Sequence, residues 1–299
     1  MYRLDPEKRI AAVKALVEGN SIRSVCRMTG IARNTITALL VDLGNACAEY
    51  QDAALQNLSC RRIQCDEIWA YCYAKDKNVP VSKQGKFGYG SVWTWTAIDA
   101  DSKLIVSWTV GPRDASAAQE FMEDLAGRLR HRVQLTTDGH KPYLEAVDSA
   151  FGGNIDYAML IKIYGEGGEP EKRYSPAEWI GSKRETITGS PEKKHISTSY
   201  VERQNLTMRM GMRRFTRLTN GFSKKVENHI AAVSLHFMYY NFVRIHQSLR
   251  MTPAMAAGVT GKLWEVKDLI TLLEDWTNPD ISPAKYRLIL PGRKGKTRF

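Results

Sequence analysis

Three things are scarce in this sequence of 299 residues. No apolar run reaches the roughly 18 residues that cross a bilayer, and the stretch Met1 to Lys14 is charged, without the apolar core of a secretion signal. A cytoplasmic chain with no membrane partner is the expectation. Cysteine is limited to Cys26, Cys47, Cys60, Cys65 and Cys72, an odd count without C-x-x-C spacing. Neither a disulfide framework nor a zinc ribbon finds support, and reduced thiols are expected. Acidic residues are outnumbered, 32 Asp plus Glu against 43 Lys plus Arg, for a formal net charge of +11. So basic a chain suits a polyanion, because each cation that neutralises a phosphate releases condensed counterions. Ribosomal proteins, nucleases and regulators share such an excess, so charge narrows the partner and leaves the chemistry open.

Residues that build a core are plentiful: 43% are hydrophobic and 25% charged, which excludes global disorder. The length suggests two units. Residues 1–50 read as three short helices. Asp5 before Pro6 starts the first, Gly19 stops it, Ser21 can cap the second, and a third follows from about Ala32. The tight Gly30-Ile31 turn makes the second pair a helix-turn-helix, with Arg33, Asn34 and Thr35 where a recognition helix meets DNA. Residues 51–60 are expected to link this unit to the rest.

From Arg61 the periodicity becomes that of strands. Ile63 to Cys72, Ser91 to Ile98 and Leu104 to Val110 form a meander, the last two joined by the turn Asp99-Ala100-Asp101-Ser102. A helix from Ser116 to Arg130, a strand from Arg132 to Thr137, a helix over Pro142 to Ala150 and a strand near Tyr157 to Tyr164 follow. The fold class expected is α/β, a mixed five-stranded sheet with flanking helices, preceded by the small all-α unit. Residues 165–198 are expected to be an irregular insertion, rich in Gly and Pro. Two long helices follow, Ser199 to about Phe215 and Lys224 to about Ile245. Residues 249–299 form a helical and basic tail whose end, Pro291 to Phe299, is expected to be disordered.

Three acidic residues stand where such a sheet places a site. Asp66 lies within the first strand, Asp138 closes the fourth just before Gly139, and Glu202 lies in the first turn of a helix. Carboxylates that converge repel one another unless cations neutralise them, and hard oxygen donors suit Mg²⁺ or Mn²⁺. Two such ions about 3.5–4 Å apart serve phosphoryl transfer. Chance alone also produces a strand-end Asp and a helix-start Glu, which the helix dipole favours.

The blocks QCDEIWAY (Gln64 to Tyr71), TTDGHKPY (Thr136 to Tyr143) and STSYVERQNLTMRMGMRRFTRLTNGFSKK (Ser197 to Lys225) carry more. In them the sequence resembles the DDE transposases of the IS1 insertion-sequence family, over roughly residues 61–248, with NFVRIHQSLRMTP (Asn241 to Pro253) similar to the tail common in DDE transposases and integrases. The resemblance implies an RNase H-like catalytic core, DNA strand cleavage and strand transfer with Mg²⁺ or Mn²⁺, and Asp66, Asp138 and Glu202 as the metal-binding catalytic triad. It also implies double-stranded DNA as partner, both element ends and target, and a homo-oligomer to bring two ends together in a prokaryotic nucleoid. One departure is plain: IS1 transposases typically resemble zinc-ribbon proteins at their amino end, and the cysteine pairs for that are missing here.

On the Glu202 helix, Asn205 and Arg209 fall at i+3 and i+7, on the carboxylate's face, where they can reach a phosphate. Arg213, Arg214, Lys224 and Lys225 extend the positive track. Glu67 alternates to the opposite strand face and reads as structural or as a salt-bridge partner. His140 and Lys141 could touch a phosphate, and His195 could approach the site. Trp69, Trp93, Trp95 and Trp108 read as core, and His229, His236 and His246 as packing. An RNase H-fold nuclease or resolvase that only hydrolyses, and a non-catalytic DNA-binding regulator, are the competing functions.

Overall fold

The computed structural model describes residues 4–165, 179–216 and 220–278. The chain opens with α1 (Pro6–Val17), where the Asp5 side chain accepts the Glu7 N–H at 2.9 Å and proline sits in the first turn. In α2 (Ile22–Thr29), Ser21 caps the start and Gly30, at φ 70°, closes the end in the left-handed region that glycine tolerates. α3 (Arg33–Ala54) is one unbroken helix of 22 residues. It runs into the segment expected as a linker, because its buried stripe from Ile36 to Cys47 continues past residue 50 to the buried Gln51.

That stripe packs on α7 (Val226–Met238). Gly44 permits the approach: a Cβ there would meet the Ala231 Cα at 2.5 Å. Ser234 Oγ donates to the Gly44 carbonyl at 2.7 Å and Gln51 Nε2 to the Ser234 carbonyl at 3.2 Å. The helix expected from Lys224 to Ile245 therefore ends at Met238 and passes into a wide π turn, Tyr239–Val243. α8 (Pro253–Ala256) and α9 (Val266–Thr277) complete this side, and Arg9 of α1 pairs with Glu274 of α9 at 2.5 Å. The basic stretch Pro291 to Phe299 lies outside the described residues.

The sheet holds β1 (Arg62–Cys72), β2 (Gly90–Asp99), β3 (Ile105–Gly111), β4 (Gln134–Thr137), β5 (Asp156–Tyr164) and β6 (Trp179–Thr188), in the order β3-β2-β1-β4-β5-β6. β1, β2 and β3 pair antiparallel, β4 and β5 join parallel to β1, and β6 returns antiparallel on β5. The mixed α/β class, a mixed sheet with flanking helices, holds. The count of five strands does not, because β6 lies inside the segment expected to be irregular. Its middle, Lys183-Arg184-Glu185, lacks apolar alternation, as befits an edge strand that pairs on one side only.

α4 (Ala115–Arg128) and α5 (Pro142–Phe151) cover one face of the sheet, where Phe121 and Tyr143 enclose Trp95 at ring distances of 5.9 and 5.5 Å. The other face carries α6 (Ser199–Gly211) and α7. Gln64 Oε1 accepts the N–H groups of Tyr200 and Val201 at 2.8 and 3.2 Å, satisfying two donors that the start of α6 leaves free.

Candidate active site

The parallel register sets the first two acidic residues side by side. Arg62 pairs with Gln134 and Gln64 with Thr136, and two residues further on the same register brings Asp138 level with Asp66. Carboxylate oxygens of Asp66, Glu67 and Asp138 all lie within 4.8 Å of one another. Asp138 projects from the end of the short β4, at the carboxyl edge where α/β sheets gather their sites. Strand alternation alone gives Glu67 a structural or salt-bridge role. Glu67 does leave the opposite face of β1 from Asp66, but Asp138 stands between those faces and both neighbours reach it.

Each carboxylate is held by the chain around it. Asp66 accepts the Glu67 N–H at 2.9 Å and Asn205 Nδ2 at 2.8 Å. Asp138 accepts the His140 N–H at 3.0 Å, an Asx-type turn that starts the loop into α5. Arg113, just beyond β3, donates Nε to Glu67 at 3.1 Å and stands 3.7 Å from Asp138. The Tyr143 hydroxyl faces Glu67 without closing a hydrogen bond of good geometry.

One guanidinium does not compensate three carboxylates in such a place. Burial pushes Asp66 up to about 7, with Glu67 and Asp138 adding to it. Burial and then Asp138 push Glu67 up to about 7 against the opposing pull of Arg113. An all-oxygen donor set with this excess of negative charge fits Mg²⁺ or Mn²⁺.

Glu202 stands apart from these three. It accepts the Thr198 hydroxyl and pairs with Lys162 Nζ of β5 at 2.5 Å. Its charge still reaches Asp66, where it is the weakest of the causes that raise that carboxyl. Asn205 is turned to Asp66 rather than to solvent, and is 8% exposed. Arg209 is half-buried on the same helix, Arg213 is exposed, and Arg214 donates Nε to Ser223 at 2.7 Å. Lys224 and Lys225 are exposed, as are Arg33, Asn34 and Thr35 at the start of α3.

His195 does not approach the carboxylates. It sits beside Arg62 and Glu192, at the start of β1. His229 and His236 are buried, and burial pushes them down to about 3 and about 4, so they pack as neutral rings. Trp95 and Trp108 are core, but Trp69 and Trp93 are only partly buried. Arg113 and Lys162 were missed altogether: one follows a Gly-Pro turn and the other sits among apolar strand residues, and neither pattern marks a site.

No family model and no curated protein matches this chain. Among solved structures it is similar to a Mos1 transposase paired-end complex with left transposon end, at 13% identity and a TM-score of 0.23, over 52% of this chain. The chain spans 60% of the length of that transposase. A piggyBac transposase synaptic complex with hairpin DNA gives 12% identity and 0.38, over 99% of this chain and 78% of that one. A Mos1 mariner paired-end complex with Mn gives 9% and 0.28, over 80% and 76%. At these scores the likenesses carry no argument about the site, which rests on its own geometry.

Proposed function

We propose that this chain is a DNA transposase of the type its sequence resembles, the IS1-like DDE enzymes, which cuts a DNA strand and joins the freed 3′-hydroxyl to a target. The observation that carries the reading is the under-compensated cluster of Asp66, Glu67 and Asp138 at the edge of an RNase H-like sheet, with Glu202 on the adjoining helix. Asp66, Asp138 and Glu202 are the residues that would hold Mg²⁺ or Mn²⁺. What bound divalent ions supply in such a site is a lowered pKa for the attacking water or hydroxyl and charge stabilisation at the leaving oxygen.

The protein's own groups do the rest. Asn205 and the Glu67 N–H each fix one oxygen of Asp66, which sets the orientation of the carboxylate. Arg113 tethers Glu67 and Asp138, keeping two like charges together. Lys162 and Thr198 hold Glu202 on the adjoining helix, from where its charge reaches Asp66. Arg209, Arg213, Arg214, Lys224 and Lys225 supply a basic approach for phosphates. Residues 1–50 form a DNA-reading unit in this proposal, with Arg33, Asn34 and Thr35 reading the element ends, and two copies pair those ends in the cytoplasm.

The test uses a duplex oligonucleotide carrying the terminal repeat that flanks the coding region. With Mn²⁺, wild-type protein is expected to give both nicked and joined products, and Asp66→Asn, Asp138→Asn or Glu202→Gln neither. Nicks without joined products would leave a nuclease, and binding without turnover a regulator.

A further inference from the structure

The face of the sheet that carries Glu67 continues past the carboxylates. Trp69 and Tyr71 leave β1 on that face, at two and four residues from Glu67, and Trp93 of β2 stands directly opposite Trp69. Trp95, opposite Glu67, is sealed under α4 and α5. Trp69, Tyr71, Trp93 and Phe222 are each only partly buried, so this end of the face meets solvent.

The rings form an ordered row. Trp69 and Tyr71 lie 5.7 Å apart at 33°, and Tyr71 and Phe222 lie 4.8 Å apart at 31°. Cations flank it at both ends: Arg113 stands 4.9 Å over Trp93, and Lys224 4.5 Å over Phe222. From Glu67 to Tyr71 the strand covers about 13 Å at about 3.3 Å per residue, the scale of a few nucleotides. A core patch has no use for basic caps, and a duplex keeps its bases stacked inside and has no use for exposed rings. A polyanion with free π-faces uses both.

We propose that Trp69, Tyr71, Trp93 and Phe222 form a stacking platform for unpaired nucleotides of a DNA strand whose backbone leads from Lys224 towards the Asp66–Glu67–Asp138 cluster. It rests on the reading of that cluster as a DNA-processing centre and deepens it, since it makes a locally unpaired strand the bound form. Flanking strand that has lost its partner is held flat along β1, and Arg113 joins the platform to the carboxylates.

The experiment measures fluorescence anisotropy of a labelled thymidine oligonucleotide, a uridine oligonucleotide and a random duplex in EDTA, where no cleavage occurs. The wild-type protein is expected to bind the thymidine strand more tightly than the uridine strand, with the duplex as the measure of binding that does not use the rings. Tyr71→Leu and Trp69→Leu are each expected to weaken single-strand binding about tenfold, the scale of one lost base–ring stack, with duplex binding unchanged. Tyr71→Phe keeps the ring and is expected to bind as wild type. Leucine variants that bind the thymidine strand as wild type does would overturn the platform. Equal or tighter binding of the uridine strand would overturn its assignment to DNA. Should Trp69→Leu fail to fold, Tyr71→Leu against Tyr71→Phe decides. Strand cleavage in Mn²⁺ by a protein that fails these binding tests would separate the loss of the platform from the loss of the catalytic reading.

Discussion

Two knots of charge among the described residues, one around Arg128 and one around Asp66, are built on opposite terms. Around Arg128 the balance closes: its guanidinium reaches Asp124 at 2.7 and 3.0 Å, Asp52 at 2.5 Å and the Leu55 carbonyl at 3.1 Å, and is 3% exposed. Asp124 also accepts Ser107 at 2.6 Å, so α3, α4 and β3 are tied at one point. Around Asp66 the balance stays open, with three carboxylates beside one Arg113 that reaches only Glu67 and Asp138, and two of the three pushed towards neutrality. A satisfied knot is an anchor. One with unmet negative charge stores a demand for cation, and that demand separates a candidate site from a structural joint.

The contrast can be broken from either side. Arg128→Met leaves Asp124 in a pocket without its cation and is expected to cost about 3–5 kcal/mol in urea unfolding. Removing a charge from the open knot is expected to do the reverse. Addition of Mn²⁺ in large excess over its dissociation constant is expected to stabilise the wild type by about 2–3 kcal/mol in thermal denaturation, and Asp138→Asn to remove that gain. Without metal, the folded carboxyl of Asp66 titrates at about 7 against an ordinary 3.8. The native state therefore holds a proton that the unfolded chain has lost, and stability falls as pH rises between those values. Asp66→Asn is expected to flatten that part of a stability-against-pH curve and to raise the melting temperature at pH 8. The smallest effect belongs to Lys162→Met. It frees Glu202 from a partly exposed pair worth about 0–1 kcal/mol, so stability should hardly move while the Mn²⁺ concentration needed for half-maximal stabilisation shifts.

The sequence made much of this legible where local physics decides. The amide of Glu7 on Asp5, the glycine at φ 70° after α2 and the aspartate closing β4 all act within a few residues, and each is found where its pattern pointed. What stayed hidden depends on neighbours far along the chain. β6 is a strand because β5 offers it an edge, not because its own residues alternate. Glu67 belongs to the cluster because a parallel partner places Asp138 between the two faces of β1, which alternation along one strand cannot register. Trp69 and Trp95 read alike in the sequence, and only the reach of α4 and α5 separates a half-open ring from a sealed one.

α3 has a mechanical consequence. A helix that begins with Arg33 in solvent is wedged against Ala231 at Gly44, midway along its length, and runs unbroken to Ala54. Whatever its tip grips is carried at a set reach from the carboxylate cluster, as on the fixed jaw of a caliper, and a bulkier residue at position 44 would put the whole gauge out of true.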